Sequence, residues 1–258
     1  MNKRALTLTA ATLGSLILLG CNNDSNNDTE TTNTNTGDTL ILTNNGMISS
    51  IDRMMPNKIV SNLKITGLQT DDELVGIDYR PKDGKLYAVG LQGNLYTLNP
   101  NNGEASFLRK LIADPSDNAD GNASFTQIMG DANLITVNFN PAADRLRVIS
   151  NTGQNLRINV DTGATITDGT INLATGSAAV VAGAYTNAFA GTGSTKLYSI
   201  DQNSDRIYLQ NANAGTLGNS AALGADINTN GGGGFDIDPV SNVGFAALKL
   251  ASGNYKFF

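Results

Sequence analysis

The chain of 258 residues has no histidine, no tryptophan, one cysteine and six prolines. The missing histidine removes Ser-His-Asp and Cys-His catalysis, the usual zinc sites and any imidazole pH switch. A lone cysteine, Cys21, permits no disulfide within the chain and no thiolate metal cluster. Without tryptophan the case for a sugar-stacking surface weakens. Apolar runs are short, and none reaches the roughly 20 residues needed to cross a bilayer as a helix. Positive charge is also scarce. The formal net charge is -6, so phosphate backbones are repelled and nucleic acid is not an expected partner.

What is present begins with a leader. Met1-Asn2-Lys3-Arg4 is basic, Ala5 to Gly20 carries no charge, and the stretch ends in Leu18-Leu19-Gly20-Cys21. A basic start, a short apolar core and a small residue before the cut describe a secretory signal peptide. The Leu-Leu-Gly-Cys ending resembles the bacterial lipobox, which implies lipidation of Cys21 as the mature N-terminus. Several acyl chains, at about 0.8 kcal/mol per buried methylene, make a stable anchor. Residues 1–20 are therefore expected to be a lipoprotein signal peptide. Residues 21–38 are expected to be a disordered Asn/Thr-rich tether, since Asn22 to Asp38 has no apolar residue with which to form a core. Residues 39–258 are long enough for one folded domain. The expected address is extracytoplasmic, on the cell membrane or outer membrane, facing the periplasm or the cell surface, with the lipid bilayer as one partner.

Within residues 39–258 the informative feature is a repeat. Gly76-Ile-Asp-Tyr-Arg-Pro81, Thr136-Val-Asn-Phe-Asn-Pro141 and Gly234-Phe-Asp-Ile-Asp-Pro239 align without gaps, and Gly183-Ala-Tyr-Thr-Asn-Ala188 fits without its proline. Short alternating stretches follow, such as Lys85 to Val89, Gly93 to Leu98, Arg145 to Ile149, Asn155 to Ile158 and Lys196 to Ile200. Turns such as Asn99-Pro-Asn-Asn-Gly103 and Asp161-Thr-Gly163 separate them. An earlier unit carries Gly46 to Asp52. Alternation split by Gly, Asn and Asp is the strand and hairpin signal, and no stretch has a helical period. Repeat starts 60, 47 and 51 residues apart match four-stranded propeller blades. The expectation is all-β: a five-bladed β-propeller with its last blade incomplete, a two-sheet sandwich being the rival. Ile112 to Asn133 reads as an inserted polar loop. Aligning Gly253 to Phe258 on Gly93 to Leu98 stops the chain within a strand, and the first unit begins without an opening segment. Both point to a product truncated at its C-terminus from a longer parent.

Asn138 to Ser150, continuing Thr152 to Asn159, together with Leu74 to Pro81 and Leu86-Tyr-Ala, resembles a bacterial exported family catalogued as domain of unknown function 4394. The resemblance implies a propeller-like repeat and an extracytoplasmic setting, and it supports the fold and compartment more than any function.

Candidate chemistry lies in the repeated opening. Period two puts Asp78, Asn138, Tyr185 and Asp236 at equivalent positions, with Arg80, Asn140, Asn187 and Asp238 two residues on. Ile77, Tyr79, Val137, Phe139, Phe235 and Ile237 then face the core. If these strands line a channel, Asp78, Asn138, Asp236 and Asp238 are candidate metal ligands, and oxygen donors of this type suit calcium. The plainer account is that Asn140-Pro141 and Asp238-Pro239 start turns. Asp114 to Asn122 fails the register of a calcium loop and reads as solvated. Gly231 to Gly234 lacks the Lys and helix of a phosphate loop and reads as a flexible connection. Arg145 and Arg147 read as surface or blade-edge charges. No nucleophile and base stand together, so the first expectation is a non-catalytic binding or scaffold module for a protein or small-molecule ligand, with no cofactor. The alternative is a calcium-dependent propeller hydrolase or lactonase.

Overall fold

A computed structural model describes residues 16–19, 36–117, 123–228 and 230–258. Cys21, most of the leader and most of the tether lie outside the described residues. The architecture is five small antiparallel sheets arranged as a five-bladed β-propeller, with no α-helix among the described residues. No helix there is long and apolar enough to cross a membrane.

The first blade is β1 (Leu16–Leu19), β2 (Thr39–Thr43), β3 (Met47–Asp52) and β4 (Met55–Lys64). The second is β5 (Leu74–Tyr79), β6 (Leu86–Gly90), β7 (Asn94–Leu98) and β8 (Ala105–Lys110). A short β9 (Ile112–Ala113) crosses to the third blade and pairs in parallel with its outer strand. That blade is β10 (Ile135–Asn140), β11 (Arg145–Ser150), β12 (Asn155–Ile158) and β13 (Ala164–Thr167). The fourth is β14 (Val180–Tyr185), β15 (Leu197–Asp201), β16 (Arg206–Gln210) and β17 (Leu217–Ala222). Among the described residues the fifth has three strands, β18 (Gly233–Ile237), β19 (Gly244–Lys249) and β20 (Tyr255–Phe257). The inner position of the first blade is taken by β1, from the stretch that the sequence assigns to the leader. It pairs with β2 from Leu16 opposite Thr43 to Leu19 opposite Leu40.

Alternation in each strand sends apolar side chains to both faces of a blade, so the core divides by interface. Five apolar clusters are described, each spanning one pair of neighbouring blades. Tyr87 and Phe139, for example, meet edge to face with ring centroids 5.4 Å apart between the second and third blades.

The first three blades are each also stitched to the next at the outer edge. The chain leaving one blade pairs in parallel with the next: Thr66 with Glu104, Ile112 with Ala164, Asn172 with Thr216. The recurring turn Asn-x-x-x-Gly makes room for this. Gly163 has φ +82°, and a Cβ there would stand 2.7 Å from the Lys110 carbonyl oxygen of the incoming strand. A residue with a side chain fits neither the backbone nor the space.

Three local expectations need correction. Arg147 is not a surface charge: it is 3% exposed, and its guanidinium donates to Asp168 at 2.6 Å, Asn155 at 2.9 Å and the Tyr185 hydroxyl at 3.2 Å. Arg145 does stay near the surface, donating to the carbonyl of Asp144. The run Gly231 to Gly234 is not a flexible link but buried backbone entering β18. A Cβ on Gly233 would lie 2.6 Å from Leu248 Cδ2, so close strand packing selects glycine there. The polar insert is not wholly solvated either. Asp117 is buried and accepts from the backbone N–H groups of Phe125 and Thr167, pinning the loop to β13; residues 118–122 lie outside the described residues.

Candidate functional site

The inner strands β5, β10, β14 and β18 run side by side around the channel, and their C-terminal ends form one mouth. Small residues allow them to approach: a Cβ on Gly76 would come within 2.2 Å of Val137 Cγ2 on the next strand. Where the third blade has Thr136 instead, its hydroxyl accepts from Gly183 N at 3.0 Å and donates to Gly183 O at 3.3 Å. The apolar half of each opening faces the preceding blade. Ile77 belongs to the cluster with the first blade, Val137 and Phe139 to that with the second, and Phe235 and Ile237 to that with the fourth.

The polar half points to the following blade. Asp78 Oδ2 accepts from Phe139 N at 2.5 Å, and Asn138 Oδ1 accepts from Tyr185 N at 2.9 Å. Asn138 also hydrogen-bonds Asp236. Three of the four candidate ligands thus meet on the floor of a cavity of about 550 Å³ at the mouth. The walls and rim are mostly apolar, from Pro81, Phe139, Ala188 to Ala190, Pro239 and Val240. Phe189 and Val240 stand 49% and 69% exposed above a floor whose polar residues are 5–6% exposed.

Burial sets the electrostatics of this floor. Desolvation penalises the charged form of Asp78 most, and the neighbouring Asp236 adds repulsion, so its pKa rises well above the ordinary value. Desolvation likewise raises Asp236 to about 7, against the backbone bond to Ile237 and the Asn138 amide, which lower it. The protonated form is therefore favoured at both carboxyls. Asp238 does not join it. Its carboxylate caps the next turn, accepting from Val240 N, Ser241 N and the Ser241 hydroxyl, and pairs with Arg53 at 3.1 Å. Asn140 caps its turn in the same way through Ala142 N and Ala143 N. The turn account holds at these outer positions and not at Asp78, Asn138 and Asp236. Tyr185 departs from the pattern, its hydroxyl accepting from Arg147. Among the described residues no group of three or more His, Cys, Asp or Glu is gathered as a metal site.

Sequence reasoning missed the collar of ion pairs around the mouth. Arg80 is 3% exposed and grips Asp144 and Asp161 of the third blade through four bonds of 2.6–2.8 Å. Its hydrogen bonds hold both carboxyls below the usual range. The signal available was an Arg at the end of an otherwise Asn and Asp pattern.

A family model described as "Domain of unknown function (DUF4394)" matches residues 47–258. No curated protein matches the sequence. Among solved structures, a Myxococcus xanthus glutaminyl cyclase aligns with a TM-score of 0.56 at 12% identity, over 98% of this chain and 91% of that one. The β-propeller domain of Myceliophteria thermophila Cps50 (Swd1) aligns with a TM-score of 0.43 at 12% identity, over 85% and 66% of the two chains. At such identity the first likeness supports the fold alone, and the second carries no argument.

Proposed function

The chain belongs to the DUF4394 family of domains of unknown function, and from its own residues we propose that it is an exported, lipid-anchored binding module whose channel mouth takes a small ligand. The observation that carries this reading is the convergence of Asp78, Asn138 and Asp236 beneath an apolar, partly exposed rim. Such a pocket combines a few convergent polar groups with apolar walls, the usual make-up of a small-molecule site. The floor offers hydrogen-bond acceptors, an amide and, near neutral pH, shared protons, so it suits a ligand with a polar or cationic head. Its groups already bond to one another and to backbone, which favours recognition over turnover. The anchoring half of the proposal rests on the Leu18-Leu19-Gly20-Cys21 ending.

The test is thermal unfolding of the full chain against a panel of small amines, polyols and acids, and against calcium with and without chelator. Binding to the folded state raises stability by RT ln(1 + [L]/Kd). Stabilisation by an organic compound, lost in Asp236→Asn while the fold persists, supports the binding module. Stabilisation by calcium alone, reversed by chelator, transfers the argument to a metal-dependent hydrolase or lactonase. A cooperative melt that no compound moves overturns both. For the anchor, Cys21→Ser should shift the chain from the membrane fraction to the soluble extracytoplasmic fraction of a bacterial host. An unchanged distribution refutes lipidation.

A further inference from the structure

The repeat supplies an internal control for the interfaces between blades. Between the second and third blades, Tyr87 packs on Phe139, and Arg80 closes the top by bonding the Tyr87 hydroxyl and two carboxylates. Between the third and fourth, buried Arg147 fills the same place. Aligned on the repeat, the corresponding residues between the fourth and fifth blades are Tyr198, Ile237 and Asn187. Ile237 is smaller than Phe139, and Asn187, shorter than Arg80, reaches across to Asn242, the counterpart of Asp144. Tyr198 is left half-buried, and the cleft beneath it stays open as a cavity of about 670 Å³, separate from the channel mouth.

Its interior is aliphatic and aromatic, including Ile200, Ile207, Phe235 and Leu248. On β19 the small Ala246 lines the cleft, and the Phe235 ring lies over Gly244, where a Cβ would stand 2.7 Å from it. At the rim stands Lys196, exposed. Lys196, with Lys256 held over the ring of Phe258 in the same lining, puts positive charge at the edge of an apolar cleft, which complements one ligand chemistry. We propose that the cleft between the fourth and fifth blades binds an amphipathic monocarboxylate, with its alkyl chain between Ile207 and Leu248 and its carboxylate at Lys196. The volume lies within the range of small-ligand sites. Each methylene buried tightens binding about fourfold, and the Lys196 contact adds selectivity for the anionic head.

The chain has no tryptophan, so Tyr198→Trp in the full chain places its only indole in the cleft. Titration with octanoate, decanoate and dodecanoate below their micelle concentrations should move the emission saturably, with Kd falling about 15-fold for each two carbons. Lys196→Gln should weaken decanoate at least fivefold while leaving decanol unchanged. Decyltrimethylammonium should bind the parent more weakly than decanoate. If Tyr198→Trp fails to fold, decanoate should still raise the melting temperature of the unsubstituted chain, and less so in Lys196→Gln. Absence of any saturable response, affinity independent of chain length, or equal binding of the cationic amphiphile would each overturn the assignment.

Discussion

Replacing Asp236 by asparagine should make the protein more stable at pH 8 and reduce the dependence of its stability on pH above 5, leaving the part that desolvated Asp78 contributes. Asp236 ordinarily titrates near 3.8, and burial in the channel floor raises it to about 7. A carboxyl raised in the folded state favours the protonated form. Its contribution is complete below about pH 4 and is lost as pH rises through about 7. At 1.36 kcal/mol per pH unit the loss is on the order of 4 kcal/mol. Asp78 acts in the same direction. The ion-paired Asp144 and Asp161 act oppositely, because Arg80 lowers them. Their stability is present above about pH 4 and lost on acidification, so it does not mask the effect. The absence of histidine leaves no imidazole to titrate between pH 5 and 8.

A folded domain of about this length changes its melting temperature by roughly 2–4 °C per kcal/mol. About two thirds of that loss, roughly 3 kcal/mol, falls above pH 5, so calorimetric melts should fall by roughly 5–10 °C between pH 5 and pH 8 in the parent. In Asp236→Asn the fall should be smaller, with the variant melting above the parent at pH 8, because asparagine keeps the shape of a neutral carboxyl. Parallel curves for the two proteins, or a parent whose stability rises over this range, would refute the account of the floor as two desolvated acids.

Gly163→Ala should cost clearly more than Gly46→Ala. Both have positive φ and pay about 1 kcal/mol for the backbone, but only Gly163 faces a carbonyl oxygen, and urea melts would show the excess. Arg147→Gln removes one of the two arginines on buried Asp168, which keeps Arg157, and leaves the Asn155 side-chain carbonyl without its donor; it should cost about 1–3 kcal/mol, while Arg145→Gln should stay within about 0.5 kcal/mol in the same assay. Gly76→Ala should destabilise by about 1–3 kcal/mol through contact with Val137, and Val137→Ala should recover part of that in a double-mutant cycle.

The fold was legible because a propeller repeats its local rules. Alternation fixed where β6, β7, β11, β12 and β15 lie, and the aligned openings placed all four channel strands that they named. Period two also separated Asp78, Asn138 and Asp236 from the core-facing Ile77, Phe139 and Ile237. What it could not tell was whether a polar side chain at the strand end turns into the channel or back to its own turn. That choice depends on whether a free N–H lies within reach, as Ala142 N does for Asn140 and Val240 N for Asp238. Burial of Arg147 was illegible for a related reason. An arginine on an alternating strand reads as solvent-facing unless its partners are known, and Asp168 and Asn213 come from distant turns.

The unit that departs furthest from the repeat is the one that shapes both cavities. Its opening has Tyr185 where the others carry Asp or Asn, and Ala188 where they carry proline. Without proline to start a tight turn, the chain runs from Thr186 to Lys196 before re-entering a strand. That longer path carries Ala188, Phe189 and Ala190 over the channel mouth. The same stretch ends at Lys196 on the rim of the cleft between the fourth and fifth blades. Tyr185, turned toward Arg147, leaves the polar floor to the other blades and so opens it on the side that Phe189 covers. In a repeat protein, positions that obey the shared pattern maintain the ring, and a unit released from it is free to serve a ligand. Here the loop from Thr186 to Lys196 is that segment, and substitutions in it should alter binding at a smaller cost in stability than substitutions at the matching positions of the second and third blades.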